Sequence, residues 1–102
     1  MISQPMNGLT DKQITNAQNK FLEYVVKENL EVVHTFFQDE WYVKDSLSSR
    51  GVVQIPLFFL AKSIEDMSHC HKAYFAKGWE NARGCKIVHE IALQYGLDII
   101  YE

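Results

Sequence analysis

The stretch KAYFAKGWENARGCKIVHEIALQYGLDIIY, residues 72–101, decides the fold. It opens on Ala73, Tyr74 and Phe75, a short apolar run that reads as a strand over residues 72–76. Asn81 is a candidate N-cap for a helix running to Tyr95, and Gly96 stands where a left-handed glycine ends a helix. Residues 97–101 (LDIIY) read as the next strand. Strand, helix and strand in one short run pair the two strands in parallel, because the helix carries the chain back along the sheet.

The same alternation extends towards the N-terminus. Residues 1–4 form a short apolar start that stops at Pro5, whose missing N–H ends a ladder. Pro5, Met6, Asn7 and Gly8 have the composition of a turn. Thr10 can cap a helix with Asp11 in its first turn, and Ile14, Ala17, Phe21, Leu22, Tyr24, Val25 and Val26 recur at helical spacing up to Asn29. Residues 30–37 (LEVVHTFF) are rich in β-branched and aromatic side chains and read as a strand. Residues 38–53 lose all periodicity and read as a long loop with room for a turn of helix. A helix over residues 54–68 follows, Pro56 in its first turn, with Leu57, Leu60, Ala61, Ile64 and Met67 as its buried stripe.

This order predicts a single α/β domain over residues 1–102: a three-layer sandwich around a four-stranded parallel sheet, in strand order 2-1-3-4. In such sheets ligands sit beyond the carboxyl ends of the strands. Residues 4–9, 37–42 and 77–84 should therefore meet there. So small a domain covers little apolar area, and Trp41, Tyr42, Phe58 and Phe59 are candidates for a subunit contact in a homo-oligomer.

Composition excludes several classes. The formal net charge of −3 argues against a nucleic-acid partner. No apolar run is long enough to span a membrane, and the first residues lack the pattern of a secretory signal. Cys70 and Cys85 are the only cysteines, which suits reduced thiols in the cytoplasm better than a disulfide framework. His69-Cys70-His71 has no second ligand pair at metal-site spacing, and Leu93 stands where a zinc-protease helix beginning at His89-Glu90 needs its second histidine. No metal or cofactor is therefore expected. Phosphate-loop, dinucleotide and hydrolase-elbow motifs are lacking as well.

Chemistry concentrates between Gly78 and Glu90. Asn81, Arg83 and Gly84 lie at a helix start, where free backbone N–H groups attract anions. Arg83 can pair with a carboxylate or phosphate, Gly84 permits close approach, and Trp79 can stack on a planar ring. The plain structural alternative has Trp79 covering the sheet end and Arg83 paired with Glu80. Glu80, Glu90, Asp39 and Glu40 are the candidate acids, and a working carboxylate needs burial beside its ligand.

Two segments carry a resemblance. ISQPMNGL at residues 2–9, and YF-x-x-GWENARGC at residues 74–85 with His89-Glu90-Ile91-Ala92 and Tyr95-Gly96, resemble a small phage and bacterial family akin to nucleoside 2-deoxyribosyltransferases. The resemblance covers nearly the whole chain. It implies a flavodoxin-like fold, an oligomer, and N-glycosidic chemistry through a glutamate nucleophile on the helix after a core strand. The family spacing, counted back from Ala92 and Gly96, selects Val88 for that glutamate and Ala82 for an aspartate that often precedes it. Valine forms no glycosyl ester. Glu90 lies about 200° around the helix from position 88, Glu80 precedes the helix, and a two-residue shift would move Glu90 into the nucleophile position. On this resemblance Glu90 or Glu80 is the catalytic acid. Asn81 and Arg83 orient a nucleoside or nucleotide, and Gln4, Met6, Asn7 and Gly8 form the loop across it. The alternatives are a catalytically degenerate nucleotide sensor and a protein-interaction module.

Overall fold

The computed structural model describes residues 1–5, 8–32 and 44–102. In chain order these form strand β1 (Ile2–Ser3), helices α1 (Asp11–Lys27), α2 (Lys44–Ser49) and α3 (Ile55–Met67), strand β2 (Lys72–Phe75), helix α4 (Arg83–Gln94) and strand β3 (Asp98–Tyr101). A 3-10 turn over Trp79–Asn81 precedes α4.

The expected four-stranded sheet of order 2-1-3-4 is corrected. Among the described residues the sheet has three strands in the order β1-β2-β3, both pairs parallel. Residues 30–32 of the supposed second strand join no ladder. Asn29 turns the chain at φ 53, and the Leu30 N–H donates back to the Val25 carbonyl at 3.0 Å. Leu30 and Val32 then pack as partly buried cover on one face of the sheet. Their apolar character serves packing against α1 rather than strand pairing. Residues 33–37 lie outside the described residues.

Register explains the layers. Ile2 pairs with Tyr74, and Tyr74 with Ile100; one step on, Ser3 pairs with Phe75, and Phe75 with Tyr101. Alternate residues of a strand face opposite ways. The Ile2, Tyr74 and Ile100 row turns towards α1, where Phe21 and Val25 are buried against it. Phe21 and Tyr24 both make ring contacts with Tyr74, centroids 5.3 and 5.6 Å away. The other face receives Met67 of α3 and Val88 and Ala92 of α4, packed on Met1, Ala73 and Phe75. Burying a side chain such as Phe75 is worth roughly 2–3 kcal/mol against leaving it in water.

Local signals set the helix ends. Thr10 caps α1 through a full capping box: its hydroxyl accepts from the Gln13 N–H, and the Gln13 side chain accepts from the Thr10 N–H. The start of α4 differs from expectation. Asn81 closes the 3-10 turn, and Ala82, extended and with no side-chain bond to offer, precedes the helix. The α3 stripe is also narrower than expected. Leu57, Ala61 and Ile64 are exposed, while Leu60 and Met67 reach the core. Within the stretch expected to be a long loop, residues 44–49 form α2, whose Leu47 is fully buried. Trp41 and Tyr42 lie outside the described residues. Phe58 and Phe59 are half-buried and meet edge to face at 5.6 Å.

Candidate functional site

The row Ser3, Phe75 and Tyr101 ends the three strands side by side. All three side chains turn towards α4, so the carboxyl end of the sheet meets the first half of that helix. Cys85, Val88 and Ala92 are its buried positions, spaced three and four residues apart. His89, next to Val88, is rotated off this stripe by one residue and lands on the sheet end.

There it joins an aromatic group. The His89 ring stacks on Trp79 with centroids 4.0 Å apart and planes 28° from parallel. Phe75 meets His89 edge-on at 5.1 Å and Trp79 at 5.5 Å. Tyr101 lies 5.8 Å from Trp79 in near-parallel orientation. His89 Nε2 and the Tyr101 hydroxyl share a hydrogen bond of 2.6 Å, its direction set by the imidazole tautomer. Phe75 is the buried floor, Trp79 and His89 are half-buried, and Tyr101 is 53% exposed. Burial therefore grades from core to solvent across four rings.

Beside this group lies a polar pair. Ser3 and Cys85 are both buried. Burial pushes the Cys85 thiol above its ordinary range, and a hydrogen bond with the Ser3 side chain works in the opposite direction. A thiol held neutral is a poor nucleophile despite its place in the first turn of a helix.

The loops that should meet at this end do so in part. Gly78 stands at φ 88, a conformation side chains rarely adopt, and Pro5 Cγ lies 3.5 Å from where a Cβ would sit. The turn after β1 thus abuts the turn after β2. Gln4 is half-buried, its side-chain amide donating to the Ile14 carbonyl at 3.3 Å, which ties that turn to α1. Gly8 is exposed, and Met6 and Asn7 lie outside the described residues, as do Asp39 and Glu40.

Asn81, Arg83 and Gly84 are exposed at the start of α4, with Lys77 and Lys86 exposed nearby. Among the described residues no ion pair joins Arg83 to Glu80. Glu80 is exposed on the 3-10 turn. Glu90 is exposed on α4, where its carboxylate accepts from the Gln94 amide at 2.9 Å. Val88 is 3% exposed and packed in the α3–α4 core. A carboxylate at position 88 would therefore point into packed apolar side chains in this fold.

Sequence reasoning missed Tyr101 and Ser3 as site residues and gave His89 no role beyond a motif letter. Their signal lies in the pairing: once β2 and β3 align Phe75 with Tyr101, the pleat and the helix turn bring His89 to both. A shallow depression of about 570 Å³ lies elsewhere, on the outer side of α1, lined by Asn19, Leu22, Glu23, Val26 and Lys27. None of these residues contributes to the aromatic group. No described helix is long and apolar enough to cross a membrane.

No protein-family model matches the chain, and neither a curated protein nor a solved structure matches it.

Proposed function

We propose that the chain binds a nucleoside or nucleotide at the carboxyl end of its sheet. The observation that carries this reading is the graded aromatic group of Phe75, Trp79, His89 and Tyr101, which sets a half-buried indole face, covered in this structure by the His89 ring, at the strand ends. A nucleobase stacks on such a face. The exposed Arg83 and the first turn of α4, adjoining the same turn as Trp79, suit a phosphate or sugar. The resemblance of residues 2–9 and 74–85 to nucleoside 2-deoxyribosyltransferase-like proteins supports the same ligand class.

Binding is favoured over turnover. A nucleophilic carboxylate works when buried beside its substrate, and Glu80 and Glu90 are both exposed. Position 88 belongs to the core. The reading is accordingly a nucleotide-sensing domain that keeps the site without the N-glycosidic chemistry. A homo-oligomer in the cytoplasm fits it, with the exposed apolar side chains Val53, Leu57 and Ile64 at the subunit contact.

Thermal-shift and calorimetric titration against nucleosides, nucleotides and free bases test the reading. A nucleotide should stabilise the protein, and Trp79→Ala should remove that stabilisation. Incubation with deoxynucleosides and a free base should yield no exchanged or released base. Lack of any thermal response across the panel would count against the binding site, and base exchange would restore the enzyme reading with Glu80 or Glu90 as the acid.

A further inference from the structure

In this structure the indole face that would take a base is already occupied. The His89 imidazole lies on Trp79 at 4.0 Å, the separation of a stacked ring, and its outer nitrogen is tied to Tyr101 at 2.6 Å. Tyr101 is itself 53% exposed and ends β3, an outer strand among the described residues, so its ring is the most exposed of the four. The floor, by contrast, is fixed: Phe75 is fully buried, and the backbone of the turn is pinned by the Trp79 N–H bonding to the Ala76 carbonyl at 3.1 Å. The two rings that cover the indole and are joined by a side-chain hydrogen bond are therefore His89 and Tyr101.

We propose that His89 and Tyr101 form a latch over Trp79, and that a planar ligand reaches the indole only when this latch opens. The inference rests on the base-stacking reading above and adds its regulation. Ligand and imidazole compete for one ring face, so apparent affinity falls by the fraction of time the latch is closed. A single hydrogen bond of this kind is worth about a fivefold bias in such an equilibrium.

The test uses the full chain carrying Trp41→Phe, which leaves Trp79 as the one indole. In this background Tyr101→Phe removes the hydroxyl and keeps the ring, and His89→Ala removes the cover itself. Acrylamide quenching of Trp79 fluorescence reads latch opening without any ligand. Titration with adenosine 5′-monophosphate, or with the nucleotide that gives the largest thermal shift, reads binding. Tyr101→Phe should raise the quenching constant and tighten nucleotide binding about fivefold, and His89→Ala should raise quenching further. Unchanged quenching in both variants overturns the latch, whatever binds. Quenching that rises while no nucleotide binds any variant keeps the latch and removes the nucleotide reading. Binding that weakens in Tyr101→Phe as quenching rises overturns the gate and makes Tyr101 part of the ligand's own contacts.

Discussion

The two faces of the sheet are built from the same strands and do different things. On the α1 side Ile2, Tyr74, Phe21 and Val25 close into an apolar and aromatic layer whose role is packing. On the α4 side Ala73, Phe75, Val88 and Ala92 do the same, but at the carboxyl end that layer gives way to Ser3, Cys85, Trp79, His89 and Tyr101. The difference comes from one step of the pleat and one residue of helix rotation. A residue shift of that size is enough to separate a core position from a site position, as Val88 and His89 illustrate.

Matched truncations are the sharpest way to break this comparison. Phe75→Ala and Phe21→Ala each remove a buried ring and should each cost about 4 kcal/mol in urea denaturation. In the Trp41→Phe background only Phe75→Ala should also change the Trp79 emission of the remaining native protein, since Phe75 is the floor beneath it. Equal emission changes from both would erase the distinction between the faces.

Val88→Glu follows in size. It inserts a carboxylate among the apolar side chains of the α3–α4 core, and should lower stability by about 3 kcal/mol at neutral pH. Recovery of that loss on acidification would show the buried charge as its cause. A Val88→Glu protein with unaltered thermal midpoint and new base-exchange activity would place position 88 in the site instead.

Thr10→Ala addresses the α1 side alone. Loss of the capping box should cost about 1 kcal/mol, with acrylamide quenching of Trp79 unaffected.

The smallest effect is a decline in stability at alkaline pH, shared by both faces. Burial raises the pKa of Cys85 on one side, and burial, with the charge of Glu102 and then Tyr24 adding to it, raises that of Tyr74 on the other. The unfolded chain ionises first, near the ordinary values of 9.0 and 10.0. Stability is thus full below pH 9 and falls as pH climbs towards the raised native values. Urea midpoints measured from pH 8 upward should show this fall, and Cys85→Ala should make its first part shallower.

Much of this was legible in residues 72–101. The strand over 72–76, the helix ending near Gly96 and the strand over 97–101 all announce themselves by composition and caps, and α4 displays its buried positions by helical spacing. Residues 30–32 were not legible as they stand in the fold. Apolar β-branched residues suit a strand and a packed connection equally, and what separates them at Leu30 is a backbone bond to Val25, a tertiary detail. The candidate site was half legible. Trp79, Arg83 and Gly84 stand out by type, whereas His89 and Tyr101 meet only through sheet register, which no single segment contains.

That register has a practical consequence. Ser3, Phe75 and Tyr101 line up in one alignment only, and a slip of β3 by a single residue would turn Ile100 towards Trp79 and carry the phenol away from His89. The indole therefore works as a built-in gauge of how the edge strand is seated. Its emission should follow any displacement of β3, by heat, by denaturant or by a molecule pressing on the sheet's edge, before the helical content of the domain begins to change.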